Sequence, residues 1–296
     1  MANKFLELLA TNAHVVADGG MGTMLFASGL QRGASPELLN VEQPEIVHRI
    51  HAGYIEAGAQ IILTNTFGGS RLRLAGHKLT DRAAELNQAA AAIALEAASA
   101  ADHPVVVAGS IGPSGALLEP YGDLAFDDAV AAFAEQAGAL ARGGVDVLWI
   151  ETMADLEEVR AAVEACRNAA PDLPIVATMT FDTGGRTMMG VTPERALTTL
   201  KGLGATAIGA NCGKGPEEIE GVIAQMHAAD PTAVLVAKAN AGIPHMVNGE
   251  AVYDATPAVM GVYADHVREL GARIIGACCG STPAHVRAIA DALTSA

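Results

Sequence analysis

The 296-residue chain is predicted to be an α/β protein whose strand–helix units close into one (β/α)8 barrel. Three observations predict this. Apolar runs bounded by Gly, Pro, Asn or Asp recur eight times at similar intervals. Between them lie Ala- and Glu-rich segments with helical spacing. A polar residue closes seven of the runs, at the strand ends where barrels of this kind build their sites. The runs are almost continuously apolar, as strands buried on both faces must be. A doubly wound open sheet is the alternative, and the count of eight favours the closed TIM barrel.

In order, VVADGG from Val15 ends on Asp18 and passes into Gly19, Gly20 and Gly22. IILTNTF from Ile61 ends near Asn65, and DRAAELNQAAAAIALEAASA then reads as a helix. VVVAGSIGP from Val105 carries Ser110, and DDAVAAFAEQAGALARGG follows with helical spacing. VLWIETM from Val147 reaches Glu151. Cys166, in VEACRNAA, sits on the next helix and reads as packing. IVATMTF from Ile175 is fifth, and AIGANCG from Ala207 brings Asn211 and Cys212. AVLVAKAN from Ala233 ends on Asn240, and IIGACCG from Ile274 ends on Cys278 and Cys279.

No linker, low-complexity block or charge run divides the chain, so residues 1–296 are expected to form a single domain. The N-terminus lacks the basic, apolar and small-residue pattern of a signal peptide, and no apolar run is long enough to span a bilayer. A cytoplasmic protein is expected. Lys and Arg total 18 against 33 Asp and Glu, a formal net charge of −15, with no basic patch. Nucleic acid and anionic membrane are therefore not expected partners.

Four cysteines in this length do not make a disulfide framework, and in a reducing compartment clustered thiols serve metal or chemistry. Cys212 and the Cys278–Cys279 pair each close an apolar run and are followed at once by a glycine, so their thiols are expected on one face. Neighbouring side chains on a regular strand point oppositely. Cys278 and Cys279 can therefore share a metal only where the strand breaks, and Gly280 is the expected break. Three thiolates leave one tetrahedral position open, the mark of a catalytic zinc, and a soft donor set selects Zn2+ over Mg2+, Ca2+ or Mn2+. Such a centre suits an incoming thiol, which coordination deprotonates.

Glu151 and Asp18 are carboxylates at strand ends, suited to acid–base work or to anchoring an ammonium group. Anchoring is preferred, because a thiolate attacking an activated methyl group shuttles no proton. Gly19 and Gly20 lack the full spacing of a nucleotide fingerprint and are expected to bring backbone amides close to a carboxylate. His48 and His51 share a helix face and read as a solvated surface.

With these residues named, DGGMGT, TNTFGGS, GSIGP, IET, GANC and GACCG, in this order, resemble the homocysteine S-methyltransferase family over nearly the whole chain. Ala277 replaces the second glycine expected before the paired cysteines. The resemblance implies a zinc-dependent barrel that methylates homocysteine to methionine. Cys212, Cys278 and Cys279 become the zinc ligands and catalytic centre. Glu151 holds the homocysteine ammonium with Asp18, Gly19 and Gly20 nearby, and Asn65, Ser110 and Asn211 complete the pocket. Asn240 matches an asparagine that fills the fourth zinc position in the cobalamin-linked branch.

The resemblance also bears on the methyl donor. Betaine-using members carry a tyrosine where this chain has Gly68 and another where it has Thr152, so the aromatic cage for a trimethylammonium group is incomplete. FDTGGRTMMGVTPE and KANAGIPHMVNGE resemble the homocysteine module of cobalamin-dependent methionine synthase. A methylated corrinoid protein or methylcobalamin is the expected donor. Betaine or S-methylmethionine, used by a self-sufficient enzyme, is the alternative.

Overall fold

In a computed structural model that describes residues 3–247 and 250–294, eight parallel strands form one sheet. They are β1 (Val15–Val16), β2 (Ile61–Leu63), β3 (Val106–Ile111), β4 (Val147–Met153), β5 (Ile175–Met179), β6 (Ala207–Cys212), β7 (Leu235–Ala239) and β10 (Ala272–Ala277). The order is β1-β10-β7-β6-β5-β4-β3-β2, and a parallel bridge between Ala17 and Ile61 joins the two ends. All eight expected runs are strands, and the barrel is the expected (β/α)8 architecture. A two-stranded antiparallel hairpin, β8 (His245–Val247) with β9 (Glu250–Val252), follows β7 and was not expected from the sequence.

Side-chain alternation sorts the strands into two cores. Ile208, Ala210, Leu235, Ala237 and Ile275 point outward against the helices. Val15, Ile61, Val106, Val147, Val176, Ala207, Val236 and Ile274 fill the barrel interior. The lower end is plugged by α1 (Lys4–Thr11), which brings Phe5 and Leu8 into the same interior cluster. That helix starts at Asn3, whose side chain accepts from the Phe5 and Leu6 amides and so satisfies two orphan donors of the first turn.

The same parity predicts what stands above the apolar plug. Two residues at a time, Val106 leads to Ser110, Val147 to Trp149 and Glu151, Ala207 to Asn211, and Val236 to Lys238 and Asn240. The interior thus changes from apolar to polar toward the strand C-termini, and this polar layer is the floor of the site. Among the described residues no helix is long and apolar enough to cross a membrane.

Candidate metal and amino-acid site

Backbone departures from regular strand geometry bring the three thiols together. β6 ends on Cys212 itself, which takes a left-handed conformation at φ 64°. A side chain pays for that conformation, and here it turns Sγ back over the barrel mouth. β10 stops at Ala277, so the break comes before Cys278, and Gly280 completes the turn at φ 81°. Cys212 Sγ and Cys278 Sγ are 3.0 Å apart, and all three sulfurs lie within 4.8 Å of one another. Thiolates about 2.3 Å from a tetrahedral zinc stand about 3.8 Å apart, so a small opening of the trio accepts the ion. The donor set and its spacing fit a thiophilic divalent metal.

Mutual hydrogen bonding sets the electrostatics of the three thiols. The Cys212 thiol is pushed well above the ordinary range, first by hydrogen bonding with Cys278 and Cys279 and then by burial. Cys279 moves the opposite way, held down first by the hydrogen bond from Cys212 and then by that from Cys278. A metal replaces the shared protons with a charge that favours all three thiolates.

Two asparagines fix the loops that carry the thiols. Asn211 Oδ1 accepts from the Thr152 amide at 2.8 Å and the Thr178 hydroxyl at 2.7 Å. Its amide group donates to Thr152 Oγ1 at 2.6 Å and faces Cys212 Sγ at 3.4 Å. Asn240 donates to the Gly213 carbonyl at 2.7 Å and accepts from the Cys279 amide at 3.0 Å, tying together the two ligand-bearing loops. Both ends of the Asn240 carboxamide are in use, so ligating a metal would require at least one of these bonds to break.

Beside the thiols stands Glu151, whose Oε1 accepts from the Ser110 hydroxyl at 2.5 Å. Burial pushes this carboxyl up to about 7, against the opposing charge of Lys238. Lys238 is the functional-site residue that the sequence reading missed. Its Nζ is buried, 2.7 Å from Asp18 Oδ1 and 5.7 Å from the centre of the Trp149 ring. Asp18 Oδ2 accepts from the Leu63 amide at 2.7 Å. Asp18 is therefore neutralised inside the protein, and among the described residues Glu151 is the carboxylate of the floor that carries no ion pair.

Other expected site residues have structural partners. Gly20 donates its amide to Ser281 Oγ at 2.9 Å. Gly19 is pressed against Ser281 and Tyr54, where a Cβ would fall 2.4 Å from the serine oxygen. Asn65 donates to the Pro36 carbonyl at 2.8 Å and to Asn40 at 3.0 Å, bracing the loop after β2. The structure thus places Cys212, Cys278, Cys279, Glu151, Ser110 and Asn211 at one end of the barrel, and gives Gly20 and Asn65 bracing contacts. His51, expected on a solvated face, is fully buried in α4 (Pro44–Glu56), with neither ring nitrogen hydrogen-bonded. Cys166 is buried packing, as expected.

The Homocysteine S-methyltransferase family profile matches residues 15–293. The chain belongs to the homocysteine S-methyltransferase family. Homocysteine is the acceptor for which that family is described. Methionine synthase of Mycobacterium tuberculosis is 35% identical over 297 residues, covering 95% of this chain and 25% of that protein. Methionine synthase of Mycobacterium leprae is 34% identical over 304 residues, covering 97% and 25%. The chain thus spans about a quarter of the length of these curated relatives. The metallated form of the homocysteine methyltransferase MmuM from Escherichia coli superposes with a TM-score of 0.83 at 24% identity, covering 98% and 99% of the two chains. That likeness supports the barrel fold.

Proposed function

We propose that residues 1–296 form a zinc-dependent, homocysteine-binding domain that transfers a methyl group to homocysteine to give methionine, with a methylated corrinoid as donor. The observation that carries this reading is the convergence of three thiols beside a buried carboxylate with no ion pair, at the C-terminal mouth of the barrel. Three soft donors suit zinc better than a hard cation. When bound, zinc supplies an open position at which an incoming thiol is held as its thiolate.

The chain's own residues do the rest. Glu151 takes the homocysteine ammonium, and the Ser110 hydroxyl fixes the carboxylate that receives it. The substrate thiol gives up its proton to solvent on thiolate formation. Sulfur then attacks the donor methyl carbon: the S–C bond forms as the bond from carbon to donor breaks, and that bond pair stays with the donor. No side chain has to move a proton during the transfer. Asn211 and Asn240 keep the thiol loops in register meanwhile. A reducing cytoplasm would keep the thiols available for metal.

Two observations favour a corrinoid over a trimethylammonium donor. Gly68 donates its amide to Glu37 Oε1 at 2.7 Å, and a Cβ there would lie 2.8 Å from the same oxygen, so a side chain at this position would have to displace the Glu37 carboxylate. Thr152 is locked to Asn211 through both its amide and its hydroxyl. Around the mouth, meanwhile, Phe67, Leu117, Tyr121, Met188 and Ile243 are exposed on loops after β2, β3, β5 and β7, and Met246 is exposed on β8. An apolar rim suits a large donor better than a small solvated cation.

The test offers betaine, S-methylmethionine and methylcobalamin separately to the zinc-loaded protein with homocysteine. Methionine formation from methylcobalamin alone is the expected result. Turnover with betaine or S-methylmethionine would make the chain self-sufficient and refute the corrinoid assignment.

A further inference from the structure

β2 stops at Leu63 while β3 runs on to Ile111, so the end of β3 has no strand beside it on that side. Lower down, the even-numbered residues of β3 face β2: the Val106 amide donates to the Gln60 carbonyl at 2.9 Å, and the Ala108 carbonyl accepts the Thr64 amide at 2.9 Å. Ser110 is the next residue of that set. Buried backbone groups need partners, and here side chains supply them. The Ser110 amide donates to Thr64 Oγ1 at 3.0 Å, and the Ser110 carbonyl accepts from Thr66 Oγ1 at 2.7 Å. From α7 (Phe126–Gly143), Gln136 Nε2 reaches the same carbonyl at 3.3 Å and the Thr66 carbonyl at 2.8 Å.

The two threonine hydroxyls are 2.6 Å apart and close a ring with the Ser110 backbone. The direction of every bond in it follows. Thr66 uses its single proton on the Ser110 carbonyl, so Thr64 must donate to Thr66 while accepting from the Ser110 amide. Ser110 is thereby held at both backbone groups, and its hydroxyl donates to Glu151 Oε1 at 2.5 Å. Thr64, Thr66, Ser110 and Gln136 are 3%, 0%, 1% and 1% exposed, so bulk water does not compete for these bonds. Asn65, between the threonines, turns the other way to Pro36 and Asn40.

We propose that Thr64 and Thr66 are positioning residues for homocysteine recognition, acting through Ser110 to set the Glu151 carboxylate that receives the ammonium group. The inference rests on the reading of Glu151 as the ammonium anchor. A binding group keeps its productive geometry only when the residues behind it are themselves locked by packing and hydrogen bonds. The ring does this for Ser110, and Gln136 ties the ring to α7. The threonine hydroxyls bond to Ser110 and to each other rather than to the loops that carry the thiols, so their effect belongs to the amine end of the substrate.

Homocysteine and 4-mercaptobutanoate share a thiol and a carboxylate and differ only in the amino group. Their dissociation constants on the Zn2+-loaded protein, measured by calorimetry, therefore isolate the ammonium contact. Thr66→Val keeps the shape of the side chain and removes the hydroxyl, whereas Thr66→Ser keeps the hydroxyl. The expected result for Thr66→Val is a roughly 3–10-fold loss of homocysteine affinity, the worth of one hydrogen bond, with 4-mercaptobutanoate unchanged. Thr66→Ser should retain parent affinity, and Thr66→Val should add nothing in a Glu151→Gln background. Gln136→Met should show the same selective loss, and it decides the matter if Thr66→Val does not fold. Equal loss for both ligands, or no loss for either, would make the ring mere scaffolding and overturn the proposal. If Glu151→Gln itself fails to discriminate between the two ligands, the ammonium reading fails and this inference falls with it.

Discussion

Replacing Lys238 with Met should unbalance the floor of the site more than any exposed charge could. Lys238 and Asp18 are 3% and 2% exposed and 2.7 Å apart. With an effective dielectric of about 20, the pair attracts by roughly 6 kcal/mol, most of it spent on taking both ions out of water. Lys238→Met leaves the Asp18 carboxylate buried with the Leu63 amide as its remaining hydrogen-bond donor. A buried ion stripped of its partner costs about 3–5 kcal/mol. Asp18→Asn should cost a similar amount by stranding the ammonium. The double variant removes both charges and should lose much less than the sum, with a coupling energy of about 2 kcal/mol or more. Urea denaturation of the metal-free proteins measures all three. A loss below about 1 kcal/mol for Lys238→Met, or strict additivity in the double variant, would refute the claim that this pair is desolvated and mutually dependent.

Glu151→Gln should raise the KM for homocysteine by roughly 10–100-fold, the worth of one charge-assisted hydrogen bond, while metal content stays unchanged. Loss of metal instead would mean that its role is misassigned. Because burial first, opposed by Lys238, brings the Glu151 carboxyl to about 7, the parent protein should bind homocysteine better as pH rises through 7. Glu151→Gln should flatten that profile. His51 gives a stability test: burial holds its imidazole down at about 3, with the charge of His48 adding. An unfolded histidine titrates near 6.5, so the unfolded chain gains a proton that the folded chain refuses. Stability is complete above pH 6.5 and falls by about 1.4 kcal/mol per pH unit from there toward 3. His51→Leu should remove that acid slope in melts compared at pH 5.5 and 7.5; an unchanged slope would place the imidazole in a protonatable site.

The barrel was legible because its evidence is periodic and repeated. Eight apolar runs, seven of them closed by a polar residue, leave few alternatives, and three cysteines at run ends mark one face. Lys238 was missed for a physical reason. In AVLVAKAN a single lysine near the end of an apolar run reads as the strand leaving the core, and nothing local says that its partner lies 220 residues away at Asp18. Parity was the available signal, because Val236, Lys238 and Asn240 share a face and the first of them is buried in the barrel. His51 misled for a similar reason: a histidine near the polar residues His48 and Arg49 looks solvated, yet it packs inward beside Ile50 and Tyr54.

The thiol cluster shows how a barrel rim makes a site that regular strands could not. Side chains on one strand face repeat every second residue, so three sulfurs cannot converge while β6 and β10 stay regular. The chain departs from strand geometry at these positions. Thr152 and Cys212 both adopt left-handed backbone at φ 61° and 64°, a conformation costing of order 1–3 kcal/mol for such residues. Asn211 holds both at once, bonding the Thr152 amide and hydroxyl while facing the Cys212 sulfur. The two strained residues and their clamp lie at the ends of β4 and β6, with β5 between them, so neither can relax without breaking bonds at the other. Through this clamp the fold holds Cys212 turned toward Cys278.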